Sequence, residues 1–188
     1  MNITKVFDST PVFETDRLIV RKLEISDAED YFEFASDPRV SVETLWDRRR
    51  TIQDTVNYLE TVEQKFIAKQ AVRWGIVNKT NSKLIGRTGL ISLDVVHESA
   101  EIGYALSREY WSKGIVTEAT KEIVKYCFAE VGLNRIQGRC NDNNPGSYRV
   151  MEKLGMTYEG TLRQQLKIKG EFIDQRMYSI LRSDYDCL

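Results

Sequence analysis

The segment Tyr110-Trp-Ser-Lys-Gly-Ile-Val-Thr-Glu-Ala119 joins a strand-like apolar run to a helix-like one. A strand that feeds a glycine-containing turn into a helix leaves the first N–H groups of that helix unpaired, at the positive end of its dipole. An anion fits there. The spacing excludes two common phosphate loops: Gly114 is not followed by Lys-Ser/Thr, and the spaced glycines of a dinucleotide fingerprint are missing. A second polar group stands at Asn144-Pro-Gly-Ser147. Asn144 is placed to cap a helix, Pro145 to take its first position, and Ser147 then falls in its first turn.

Other reactive side chains have plainer readings. His97, the only histidine, cannot build a metal cluster and sits in a polar stretch, so it is expected at the surface. Cys127 falls on the apolar face of a helix; Cys140 lies at a strand end near Ser147 but has no histidine nearby in sequence to activate it. Arg48-Arg-Arg50 after Asp47 is a solvated run, or a contact for a phosphate or an acidic substrate. Trp46 and Tyr31 are expected to pack in the core, with the lining of a groove as the alternative.

The elements that must position these residues alternate along the chain. Arg17–Leu23 alternates polar and apolar residues, as a half-buried strand does. Ser26 is placed to cap a helix to about Ala35, with Pro38 past its end. Ile52, Val56, Leu59, Val62 and Phe66 recur at helical spacing between Thr51 and Lys69. Three strand-like runs follow, Val72–Asn78, Leu84–Leu93 and Ala100–Ser107, which imply an antiparallel meander. A helix from Ile115 to Val131 and a strand from Arg135 to Cys140 make a crossover. A helix from Pro145 to Leu154 stops at Gly155, and two last strands meet near Lys169-Gly170-Glu171. The expected fold class is α+β, a mixed and mostly antiparallel sheet flanked by helices.

Composition bounds the function. At 188 residues, 41% hydrophobic and 29% charged, the chain can bury one sizeable core, so a single domain over residues 1–188 is expected. No run approaches the about 18 apolar residues of a membrane helix, and the start lacks the pattern of a signal peptide. A cytoplasmic protein with no membrane contact is expected. With 27 basic and 28 acidic residues there is no basic footprint for nucleic acid. The 3 cysteines are too scattered for a disulfide framework or a zinc knuckle, so no metal is expected.

Taken together, Ala100-Glu-Ile-Gly-Tyr-Ala-Leu-Ser107, the segment Tyr110–Ala119, Asn144-Pro-Gly-Ser147 and Met151-Glu-Lys-Leu-Gly-Met156 resemble the GNAT superfamily of acetyl-CoA-dependent N-acyltransferases. Glu14-Thr-Asp-Arg-Leu-Ile-Val-Arg21, Glu159-Gly-Thr-Leu-Arg163, Gly170-Glu171, Asp174 and Tyr178 are similar to the branch that acetylates N-termini of ribosomal proteins. The resemblance covers nearly the whole chain. It implies one GNAT-type domain whose sheet splays at the cofactor, with acetyl-CoA as co-substrate. It also implies that pantetheine lies along Ile102, Tyr104, Ala105 and Leu106, and that the diphosphate meets the loop Trp111, Ser112, Lys113, Gly114, Ile115, Val116 and Thr117. Asn144 and Ser147 would stand beside the thiol. The family usually has Gln or Arg where Trp111 stands, although Trp is common in this branch, and Gly or Ala where Val116 stands, so Val116 is expected to narrow the approach.

Acetyl transfer to an amine needs a neutral amine, donors for an oxyanion and a proton for the departing thiolate. Many family members supply that proton from a tyrosine at the position of Met151, so the role falls to Ser147. Glu101, on the strand facing the cofactor, is the expected base; the glutamate that close relatives carry after Arg163 is Leu166 here. An α-amine has a reference pKa near 8 and a lysine side chain about 10.4, so a weak base favours an N-terminal amine. The expected acceptor is a protein or peptide N-terminus, with direct attack in a ternary complex and no acyl-enzyme. The alternatives are a small amine (polyamine, amino sugar or antibiotic), whose acidic pocket would include Glu43 and Asp47, and a CoA-binding module without turnover. A monomer or homodimer is expected.

Overall fold

Alternating side chains in the first half of the chain produce a sheet with two differently dressed faces. The computed structural model describes residues 4–42 and 44–187. After a short helix α1 (Lys5–Asp8) come β1 (Phe13–Glu14) and β2 (Leu18–Lys22); α2 (Ala28–Ala35), α3 (Pro38–Ser41) and α4 (Ile52–Ile67) follow. The meander is β3 (Val72–Asn78), β4 (Leu84–Asp94), β5 (Ser99–Ile102) and β6 (Ala105–Leu106). Then come α5 (Ile115–Tyr126), a π-helical turn (Cys127–Val131), β7 (Arg135–Asn141), α6 (Pro145–Lys153), β8 (Thr157–Ile168), β9 (Glu171–Leu181) and α7 (Arg182–Tyr185). The strands form one mixed sheet in the order β1-β2-β3-β4-β5-β7-β9-β8, with β6 beside β4. Among the described residues only β5 and β7 pair in parallel, across the α5 crossover. The α+β class expected from the sequence is the class observed.

Val72, Trp74 and Ile76 face a core shared with Ile115, Ala119 and Ile123 of α5 and Met151 of α6. The opposite face, with Leu23, Val77 and Leu84, is covered by Tyr31 and Phe34 of α2 and Leu59 of α4. Two expected boundaries change. Ser26 is exposed and does not cap α2. A 3-10 turn (Ile25–Asp27) precedes the helix, and Asp27, gripped by Arg21 at 2.9 and 2.5 Å, accepts from the Glu24 N–H at 2.9 Å. Pro38 does not merely end α2; it opens α3, capped by Asp37, which accepts from the Arg39 N–H at 2.9 Å.

The expected third strand of the meander is cut in two, and the cut shapes the sheet. Ile102 is paired on both sides, with Leu90 of β4 and Gly138 of β7. Past Gly103 and Tyr104, β6 stays with β4 through Arg87 and Gly86. Residues 139–141 of β7 continue with β9 instead. The sheet therefore opens into a V between β6 and the end of β7.

Gly89 sits where this region is packed most tightly. Its φ is +140°, and a Cβ there would lie 2.3 Å from the Val72 carbonyl oxygen, so only backbone movement could make room. Gly89→Ala is expected to destabilise the fold by about 3 kcal/mol, lowering the thermal midpoint by about 6–12 °C. A scanning-calorimetry shift under 2 °C would refute the reading.

Candidate active site

The loop at the start of α5 presents the amides that the sequence leads one to expect. Gly114 caps the helix in the left-handed conformation, φ +75°, after Ser112 at φ +59°. The first amide to find an intrahelical acceptor is Glu118, which donates to Gly114 O at 3.0 Å. Those of Ile115, Val116 and Thr117 precede it and have none within the helix. Ile115 and Val116 point their side chains into the core. Val116 therefore offers its N–H without narrowing the approach, contrary to the expectation from its branched side chain.

Arg17 braces the loop. Its guanidinium donates to Lys113 O at 3.1 Å and to the Glu118 carboxylate, Nε at 2.8 Å and Nη2 closer still. Trp111 fixes the other end, its indole Nε1 donating to Leu106 O at 2.8 Å. Lys113 holds its ammonium 5.6 Å from the Tyr110 ring.

The V lies between this loop and the N-terminus of α6. Gly103 N–H donates to Gly89 O and Ser107 N–H to Ile85 O, so alternate residues turn toward β4 and the others toward the V. Within the run expected to line pantetheine, this corrects the roles. The Ile102 backbone is used in the paired sheet and Ala105 pairs with Arg87, whereas Tyr104 and Leu106 turn their peptide groups to the opening. Leu106 O is already held by Trp111.

At the inner end of the V stand two hydroxyls. The Asn144 side chain accepts from the Ser147 N–H at 3.0 Å, the cap expected from the sequence. Ser147 Oγ lies 2.9 Å from the Tyr104 hydroxyl, which also reaches Ser147 O at 2.9 Å. Burial pushes the Tyr104 phenol well above its ordinary value, so it keeps its proton at any physiological pH. Burial likewise raises the Cys140 thiol to about 11, against a hydrogen bond from Ser147 that lowers it. Met151, where many family members carry tyrosine, is 1% exposed and packs beneath Gly138.

Glu101 lies on the other face of the sheet, buried, where both its oxygens accept from Arg139, at 3.0 and 2.7 Å. A proton arriving there must displace one of those bonds. Gln137 and Glu101 line one side of a cavity of about 440 Å³. A second cavity of about 500 Å³ is lined by Asp47, Arg48, Arg49, Arg50 and Tyr58 among others, so Arg48–Arg50 stand on the α2/α4 face rather than at the α5 loop. Arg49 lies 4.9 Å from the Tyr58 ring and 5.7 Å from that of Trp46. Glu43, named with Asp47 for an acidic pocket, falls outside the described residues. His97 is exposed and Cys127 is core, as expected; Tyr31 is core too, and its hydroxyl accepts from Arg87 Nε at 2.9 Å. Sequence reasoning missed Tyr104 as a partner of Ser147, and it missed Arg73 and Arg87. The signal for the arginines was present: each is the one charged residue within the mainly apolar part of its strand.

Among the described residues no helix is long and apolar enough to cross a membrane. The chain is 34% identical over 172 residues to the uncharacterized N-acetyltransferase YoaA of Bacillus subtilis, covering 92% of this chain and 97% of that protein. It is 28% identical over 132 residues to a spermidine N(1)-acetyltransferase of Vibrio cholerae, covering 70% and 76%. RimL, a ribosomal L7/L12 alpha-N-protein acetyltransferase solved in complex with coenzyme A, superimposes with a TM-score of 0.84 at 16% identity, covering 91% of this chain and 98% of that one. At that identity the likeness shows the fold alone. Residues 17–157 match the family described as acetyltransferase (GNAT) domain, and the chain belongs to this family of N-acetyltransferases.

Proposed function

We propose that the protein transfers the acetyl group of acetyl-CoA to a primary amine at a protein or peptide N-terminus, by direct attack in a ternary complex. One observation carries the reading: the V in the sheet has unpaired helix amides at its outer end and the Tyr104–Ser147 hydroxyl pair at its inner end. The amides of Ser112 to Thr117 would hold the diphosphate, with Lys113 and Arg17 adding positive charge. The peptide groups of Tyr104 and the Leu106 N–H would pair with pantetheine. Asn144 keeps the α6 terminus, and with it Ser147, in place. The coenzyme A bound to RimL supports the cofactor, and the reaction asks for no metal. The reading places the protein in the cytoplasm, where acetyl-CoA is made and used.

Ser147 donates a proton to the departing thiolate as the phenol of Tyr104, 2.9 Å away, passes its own to Ser147 and takes one back from solvent in the V. The acceptor is read as arriving on the face of the sheet that carries Glu101, which takes its proton directly or through water. An α-amine near pKa 8 is about a tenth neutral at pH 7 and needs little help; a lysine side chain needs more. The spermidine-acetylating relative keeps a small-amine reading in view.

Calorimetry with coenzyme A, followed by thiol release from acetyl-CoA with N-terminal peptides and polyamines, separates the readings. Heat on binding and release with peptides are expected. Release only with polyamines would replace the acceptor, and binding without release would leave a CoA-binding module. No heat with coenzyme A would sink the assignment.

A further inference from the structure

The α2/α4 face carries positive charge that the protein itself does not balance. Arg87 is 8% exposed, and its Nε donates to the neutral Tyr31 hydroxyl at 2.9 Å. Arg73 lies on the same face, since Gly75, two residues on, is the one paired with Arg87. Cross-strand diagonal neighbours of this kind are about 7–8 Å apart. Among the described residues neither arginine forms an ion pair with a carboxylate. Arg73 Nη1 is buried with no hydrogen-bond partner, and so is the Tyr58 hydroxyl. Glu101, whose charge acts on Arg73, has both oxygens on Arg139.

Position makes this more than a packing defect. Arg73 Nη1 lies 3.6 Å from where a Gly103 Cβ would be, and Gly103 is where the strand breaks to open the V. Two guanidiniums without counter-ions therefore stand where the acceptor must come. Their field is felt: burial and then Arg87 lower the Arg73 guanidinium to about 10. At Tyr58, burial pulls upward, yet Arg87, Arg73 and Arg49 hold the phenol below its ordinary value. Buried charge of one sign is costly unless paired, so the site is complete only with an anion in it.

We infer that the acceptor carries an oxyanion, a carboxylate or phosphate a few bonds from its amine, and that Arg73 and Arg87 bind it. This rests on the acetyltransferase reading and names the class of acceptor. A polycation is disfavoured by the same two charges, and an acidic residue near a peptide N-terminus fits them. Guanidinium groups suit either oxyanion, because their planar N–H forks match both geometries.

The test compares kcat/KM at saturating acetyl-CoA for three peptides that differ only in residue two (aspartate, alanine or lysine), with glutamate, phosphoethanolamine and spermidine as small probes. The aspartate peptide is expected to exceed the alanine peptide at least tenfold and the lysine peptide at least a hundredfold. That advantage should shrink as salt rises. Whether the peptide or a small probe reacts best identifies the source of the oxyanion. Arg73→Gln is expected to raise KM for the aspartate peptide at least tenfold more than for the alanine peptide, with Arg73→Lys recovering part of the preference. Should Arg73→Gln fail to fold, the wild-type comparison and its salt dependence decide. Equal or better use of spermidine or of the lysine peptide overturns the inference while leaving the transferase intact. If coenzyme A binds but no acceptor reacts, the transferase reading fails, and calorimetry of the same peptides on the CoA-loaded protein decides: tighter binding of the aspartate peptide upholds the anion site, and equal or absent binding ends it.

Discussion

Gly114→Asp is expected to weaken coenzyme A binding at least a hundredfold, about 2.7 kcal/mol, while costing the fold about 1 kcal/mol or less. The two effects separate because of the backbone at this position. Gly114 has φ +75°, and aspartate, with asparagine, is among the residues that tolerate the left-handed region. A Cβ there would meet only Arg17 Nη2, at an ordinary 3.8 Å, so nothing is displaced. The carboxylate, however, would stand at the mouth of α5, competing for the amides of Ile115 to Thr117 and repelling the diphosphate. Gly114→Asn supplies the same shape without the charge and should fall between the variant and the wild type. Calorimetry with coenzyme A measures the first effect, and the thermal midpoint without ligand measures the second. Affinity within threefold of wild type for the aspartate variant would remove the loop from cofactor binding.

The site was legible in the sequence where function depends on local backbone. The Gly114 turn and the Asn144 cap are set by residues adjacent in the chain, so their types announce their geometry: Gly114 adopts a positive φ, and Asn144 accepts from the Ser147 N–H. The splay of the sheet was different. Its cause, the break at Gly103 and Tyr104, looks in sequence like one continuous alternating strand, because pairing partners rather than alternation decide where a strand ends.

Pairings distant in sequence were also hidden. Glu101 meets Arg139 and Tyr104 meets Ser147 only because the crossover brings β5, β7 and α6 together. At the α2 entry the sequence offers Ser26 and Asp27 as caps; the Asp27 side chain turns instead to Arg21 on β2 and to the Glu24 N–H, and closes the 3-10 turn before the helix. Arg73 and Arg87 conflict with their strands' apolar pattern, and such conflicts gather where function overrides packing.

Ser147→Ala is expected to lower kcat ten- to a hundredfold with coenzyme A affinity unchanged. The structure makes this a clean deletion. Asn144 Oδ1 accepts from the Ser147 backbone N–H rather than its hydroxyl, so alanine keeps the cap and the start of α6. What disappears is the Oγ that stands 2.9 Å from the Tyr104 phenol, and with it the link between the leaving thiolate and a group that is always protonated. A general acid contributes about a hundredfold or more where the leaving group needs its proton; a thiolate, with a reference pKa near 8.5, needs it less than an alkoxide would. That places the expected loss at the lower end.

Tyr104→Phe removes the second member of the pair and should cost less, about three- to tenfold, because water can re-protonate Ser147. If the two hydroxyls act in series, the double variant is no slower than Ser147→Ala alone. Fully multiplicative losses would show that the two act independently, and an unchanged kcat in Ser147→Ala would mean that water, not the serine, protonates the thiolate.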